Sequence, residues 1–109
     1  MTSPLRVLVL DASPSPYGNS MRLVKTMLEI LDGQTDIVRL YESQPAPCRD
    51  CGGCATGAPC RLDATMDGVI RRLIAADFLI AASPIHFSSL SAPLIAFFSR
   101  LQPFWPARR

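Results

Sequence analysis

Between Asp11 and Ser20 the chain reads Asp-Ala-Ser-Pro-Ser-Pro-Tyr-Gly-Asn-Ser, with three serines, one side-chain amide, a glycine and no charge after Asp11. Hydroxyls and amides donate hydrogen bonds without adding charge. Where such a run leads into a helix, the bare N–H groups of the first turn and the positive end of the helix dipole favour an anion, phosphate above all. Ser13, Ser15, Gly18, Asn19 and Ser20 are therefore candidate phosphate-binding residues, although the segment also reads as an ordinary N-capped turn. The sequence contains no G-x-x-x-x-G-K-[ST] triphosphatase loop and no dinucleotide G-x-G-x-x-G. A receiver domain would want acids at both strand ends, but Ser83 ends the later strand, and Asp11 reads as a strand-end hydrogen-bonding group rather than a nucleophile. Ala12-Ser13 stands where a nucleophilic phosphatase would place its cysteine. What survives is a cradle for a monophosphate.

The second constellation is Cys48-x2-Cys51-x2-Cys54-x5-Cys60, which holds every cysteine of the chain. Confinement to one short segment is unlike a disulfide framework and points to a metal site. Structural zinc favours two separated pairs, whereas three cysteines at successive x2 spacings with a fourth nearby resemble the ferredoxin run that wraps an iron–sulfur cluster. Gly52, Gly53 and Gly57 free the backbone to fold around a cluster and to donate N–H bonds to sulfide. A four-iron four-sulfur cluster, zinc, and thiols that are redox-active or inert all remain readings of these four residues.

A third segment, Ser83-Pro84-Ile85-His86-Phe87-Ser88-Ser89, mixes a rigid turn, an aromatic ring and hydroxyls, as one wall of a flat-ring pocket would. His86 is the one histidine, and beside Phe87 it is expected to be a partly buried hydrogen-bonding residue rather than a general acid or base. Phe97 and Phe98 read as core or interface packing. Phe104 and Trp105, in an apolar tail, read as cover for a partner subunit.

These segments need elements to position them. Leu5 to Asp11 is nearly continuous in apolar residues, which suits a strand covered on both faces of a parallel sheet. From Asn19 to Leu31 the positions Met21, Val24, Met27, Leu28 and Leu31 trace a helical stripe, stopped by Asp32-Gly33. A second strand is expected over Asp36 to Tyr41, at a sheet edge because it contains Arg39. Residues 42–62 form a Cys-rich loop with no usable period, and loops that long usually carry function. Asp63 then caps a helix with the stripe Met66, Val69, Ile70, Leu73 and Ile74, and Arg71 and Arg72 face out. Asp77 to Ala82 reads as a third buried strand. Ser91 caps a last helix with Pro93 in its first turn and Leu94, Ile95, Phe97, Phe98 and Leu101 as apolar positions. The order β-α-β-loop-α-β-α makes the class α/β, a doubly wound parallel sheet of about three strands in order 2-1-3. A ligand crevice is expected at the carboxyl ends of the first and third strands.

Composition bounds the function. With 109 residues, 49% hydrophobic and 18% charged, the chain is read as a single globular domain over 1–109. Eleven basic against nine acidic residues give a net charge of +2 with no basic stripe, so nucleic acid is not an expected partner. The longest early apolar run is far short of a membrane span, and it lacks a signal peptide's basic flank and cleavage site. No membrane association and a cytoplasmic location are expected.

In order along the chain stand Ala-Ser-Pro-x-x-x-Gly-Asn-Ser from Ala12, the cysteine-bearing loop, and Ala76-Asp77 before the third strand. Ser83-Pro84-Ile85-His86-Phe87 follows, with Ser-Ala-Pro-Leu-Ile-Ala-Phe-Phe-Ser-Arg over 91–100. From about Val7 to Leu101 this resembles the NADPH-dependent FMN reductase family of flavodoxin-like proteins, and within it the iron–sulfur flavoproteins. The resemblance implies that Ser13, Ser15, Gly18, Asn19 and Ser20 hold the phosphate of FMN. It further implies that Ser83, Pro84, Ile85, His86 and Phe87 line the isoalloxazine, and that Cys48, Cys51, Cys54 and Cys60 ligate a four-iron four-sulfur cluster. The implied activity is an FMN-dependent oxidoreductase or electron-transfer flavoprotein with NAD(P)H as donor. The implied assembly is a dimer or tetramer, with a redox partner protein. The alternative is a non-catalytic metal-binding or assembly module, with zinc or a cluster, that has lost flavin. Three residues depart from the family pattern: Ala12 stands for a usual Gly, Ser15 for a common Arg and His86 for a common Tyr. The family pattern also continues through two further strand–helix units, so the domain is expected to be a partial one with its third strand as an unpaired edge.

Overall fold

The computed structural model describes residues 5–15, 17–49, 51–52 and 65–101. Its elements run β1 (Leu5–Asp11), α1 (Asn19–Ile30), β2 (Gly33–Arg39), α2 (Leu40–Ser43), α3 (Thr65–Ala75), β3 (Phe78–Ala82) and α4 (Ala92–Ser99). The sheet is parallel throughout, in the order β2-β1-β3.

The alternation of side chains along β1 explains the layering. Leu8, Leu10 and Ala12 point to one face and pack with Val38, Leu40, Met66, Val69, Leu94 and Phe97. Val7 and Val9 point to the other and pack with Met21, Val24, Ile80 and Ala82. One face is thus closed by α1 and the other by α3 and α4, as the crossover rule for parallel strands requires. Both faces of β1 are buried, which is why its sequence is nearly uninterrupted in apolar residues.

The two outer strands are half covered, and this corrects the expectation of a buried third strand. Ile80 and Ala82 of β3 are buried, but Phe78, Leu79 and Ala81 are exposed. The reason is position: β3 lies at the rim, and among the described residues no strand pairs with its outer edge. Arg39 does lie on an edge strand, as its charge suggests.

The second strand begins earlier and ends earlier than Asp36 to Tyr41. All seven residues from Gly33 to Arg39 pair in register with Leu5 to Asp11, because backbone pairing tolerates Gln34, Thr35 and Asp36 on an exposed rim. Gly33 is required there, since a Cβ would collide with the carbonyl group of Leu5. Helix α1 has already ended at Ile30, where the Leu31 N–H donates to Met27 O at 3.1 Å. Leu40 and Tyr41, expected in the strand, and Glu42 and Ser43, expected to open the long loop, instead form the single turn α2. It closes on Gln44 in the left-handed region (φ 45°), whose N–H donates to Leu40 O at 2.8 Å.

Candidate functional site

The crevice forms where β1 and β3 end together. Asp11 pairs with Ala82, and the Ala12 N–H donates to Ala82 O at 2.8 Å. Ser91, entirely buried, donates from Oγ to Ala12 O at 2.7 Å, and its N–H donates to Ser83 Oγ at 2.8 Å. The loop after β1, the loop after β3 and the start of α4 are therefore one hydrogen-bonded unit. Ser91 does sit at the N-cap position of α4 with Pro93 in the first turn, but its hydroxyl makes no cap bond, because it is committed to the Ala12 carbonyl.

In the first loop the expected donors separate into two groups. Ser13 Oγ turns inward, donating to Ser15 O at 2.9 Å and accepting from the Ser15 N–H at 3.3 Å. Ser15 Oγ accepts the Tyr17 N–H at 3.3 Å. These serines shape the loop. Asn19 and Ser20 are the first two residues of α1, exposed and half-buried respectively. Among the described residues no side chain caps this helix. Its first-turn N–H groups consequently have no intrahelical acceptor and no side-chain cap. Gly18 has φ −77° and ψ 177°, which any residue adopts, and an added Cβ would meet Ser15 O at an ordinary 3.6 Å. Its contribution is bare surface at the helix start, not backbone freedom.

In the second loop Ser83 Oγ donates to Pro84 O at 2.8 Å while accepting from Ser91, so this hydroxyl is also structural. Pro84 is half-buried, and Ile85, His86 and Phe87 are exposed. His86 and Ser89 exchange two backbone hydrogen bonds of 2.9 Å around Phe87 (φ 49°) and Ser88 (φ 61°). Two consecutive positive φ values mark a type I′ hairpin turn, which favours Gly or Asn and here contains neither. The expectation of a partly buried His86 is corrected: the tight hairpin projects from the body and takes His86 and Phe87 into solvent. Backbone strain of this kind concentrates at ligand-binding loops.

Two sets of contacts, whose partners no sequence pattern names, fix the surroundings. Asp11, wholly buried, accepts the Ser13 N–H on Oδ1 at 3.0 Å and pairs through Oδ2 with Arg39 Nη1 at 2.6 Å. Asp11 is thus the hydrogen-bonding strand end that its position suggested. At the other side of the site, Cys48 donates its N–H to Ser99 Oγ at 2.9 Å, and buried Arg100 donates from Nη1 to Ala46 O at 3.0 Å. The end of α4 therefore anchors the entry to the cysteine segment. Cys48 is half-buried and Cys51 exposed. Cys54 and Cys60, like Phe104 and Trp105, lie outside the described residues, among which no group of three or more metal-ligating side chains forms. Among the described residues no helix is long and apolar enough to cross a membrane.

A parallel sheet in order 2-1-3 with helices on both faces, and two polar loops at the point where strand order reverses, defines the flavodoxin-like class of α/β proteins. The model of the NADPH-dependent FMN reductase family matches residues 5–108, and the chain belongs to that family. It is 29% identical over 99 residues to an iron-sulfur flavoprotein of Methanosarcina thermophila, covering 88% of this chain and 52% of that protein. It is 28% identical over 102 residues to an iron-sulfur flavoprotein of Methanocaldococcus jannaschii, covering 91% and 53%. For an iron-sulfur flavoprotein of Archaeoglobus fulgidus the identity is 26% over 103 residues, covering 92% and 47%. The chain spans about half the length of these curated relatives. No solved structure matches it.

Proposed function

We propose that this chain is the FMN-binding part of an NAD(P)H-linked flavoprotein oxidoreductase, with the flavin phosphate on the N-terminus of α1 and the ring against the loop after β3. The observation that carries this reading is the pair of loops at the ends of β1 and β3, bonded to each other through Ser91 and facing an uncapped helix start. The residues present fit the group. The helix start offers backbone donors, Asn19 and Ser20 add an amide and a hydroxyl, and the hairpin at Phe87 offers an exposed aromatic face to a flat ring. Bound there, FMN would supply hydride or single-electron chemistry. The chain's own part is to bind and orient: Ser13 and Ser15 hold the loop, Asn19 and Ser20 take the phosphate, and Pro84, Ile85, His86 and Phe87 shield the ring from water.

The four cysteines Cys48, Cys51, Cys54 and Cys60 belong to the same proposal as ligands of a four-iron four-sulfur cluster. The relatives' name as iron-sulfur flavoproteins and the spacing of the run support it. Assembly as a dimer or tetramer, and electron delivery to a partner protein, complete the reading.

The test is FMN binding to anaerobically purified protein, followed through flavin fluorescence. Replacing Asn19 and Ser20 together by Ala removes two solvent-accessible donors, each worth about 0.7–1.4 kcal/mol net, and should raise the Kd about tenfold to a hundredfold. Unchanged affinity would reject the assignment of α1 as the phosphate site.

A further inference from the structure

Arg39 and Asp11 face each other at the last position of the β1–β2 register, 28 residues apart in the chain. Arg39 lies beside the proposed phosphate loop but does not belong to it. Its guanidinium pairs with Asp11 at 2.6 Å, reaches the carbonyl of Ser13 at 3.4 Å and meets Glu42 at 3.3 Å through Nε. Asp11 in turn holds a backbone N–H of the loop, that of Ser13. From Ala12 to Ser20 the loop has no charged residue. Arg39 brings a cation to it, through the Ser13 carbonyl.

A buried carboxylate at the base of an anion-binding loop is an electrostatic contradiction. A negative charge with a wholly buried side chain is screened little by salt, and it repels a phosphate dianion placed on the same loop. We propose that Arg39 is a positioning residue for the flavin phosphate: it cancels the charge of Asp11 and clamps both ends of the Asp11–Ser13 turn, and so gives the site its preference for phosphorylated over unphosphorylated flavin. This rests on the reading of α1 as the FMN phosphate site. Arginine suits the role because its planar fork reaches Asp11, Ser13 and Glu42 at once, which a lysine ammonium on a single stem does not.

The experiment measures Kd for FMN and for riboflavin, which share the ring and differ in the phosphate, on the intact protein and its variants. Circular dichroism checks each fold. Arg39→Gln should weaken FMN about tenfold at low salt while riboflavin changes by less than about twofold. The combined Asp11→Asn and Arg39→Gln variant, which removes both charges, should recover most of the lost FMN affinity. Arg39→Lys, which keeps the charge, should fall between the two. Equal weakening of both flavins by Arg39→Gln, or failure of the uncharged pair to recover FMN affinity, overturns the inference while leaving the flavin site standing. A wild-type protein that binds neither flavin rejects the site itself, and the inference with it. Should Arg39→Gln not fold, Arg39→Lys and the uncharged pair decide the matter through the same FMN-to-riboflavin ratio.

Discussion

Replacing Ser91 by Ala removes one oxygen from the place where both crevice loops and α4 meet. Ser91 and Ala12 are each fully buried, and the Oγ–Ala12 O hydrogen bond is 2.7 Å long. The Ser91 N–H keeps its bond to Ser83, so the loss is confined to the Ala12 carbonyl, which is left without its side-chain donor in a dry site. Leaving a buried acceptor unsatisfied costs about 1–3 kcal/mol, larger than the modest net worth of a hydrogen bond, because desolvation is not recovered. In urea, with a slope of about 2 kcal/mol/M for a chain of this size, a loss near the middle of that range moves the midpoint by about 1 M. Thermal unfolding should fall by roughly 4–8 °C for each kcal/mol. Ser89, exposed on the hairpin, provides the control: Ser89→Ala should stay within about 0.5 kcal/mol of wild type. FMN affinity should drop in Ser91→Ala, since the two loops lose a bond that joins them. If Ser91→Ala proves as harmless as Ser89→Ala, the argument that this hydroxyl ties the site together is wrong.

Other expectations follow from the same geometry. Ser88→Gly should stabilise the chain by about 0.5–1 kcal/mol in urea titration, because it relieves a left-handed non-glycine residue; a loss of stability would deny the strain. Gly33→Ala should cost about 1–3 kcal/mol by driving a methyl group into the Leu5 carbonyl, and wild-type stability would show that the start of β2 can shift without penalty. Cys54→Ser should lower the iron and sulfide content of anaerobic protein while flavin is retained, and full iron content would remove Cys54 from the proposed ligand set.

The core was legible because burial writes itself into the sequence as periodicity. Val7, Leu8, Val9 and Leu10 announce a strand covered on two faces, and Met21 with Val24, Met66 with Val69, and Leu94 with Phe97 announce the helices that cover it. Depth at the rim was not legible. Phe78 and Leu79 have strand-like side chains whether or not another layer lies over them, so β3 reads as buried although its place in the order 2-1-3 puts it at an edge. The site was legible as loops but not as partners. The Asp11–Arg39 pair depends on a register set by seven backbone pairings, and Ser91 reads as a helix cap until Ala12 is seen beside it. The hairpin at Phe87 and Ser88 was hidden for a simpler reason: neither residue is one that such a turn selects.

The alternation along β1 has a further consequence for how the molecule comes apart. Val7 and Val9 are fastened into one layer, Leu8 and Leu10 into the other, so the same seven-residue ribbon is common property of both halves of the interior. Neither half can melt and leave its neighbour intact, and loss of order should be all-or-none. Amide protons of this ribbon should be the last to exchange with deuterium, and both layers should become labile at one and the same opening.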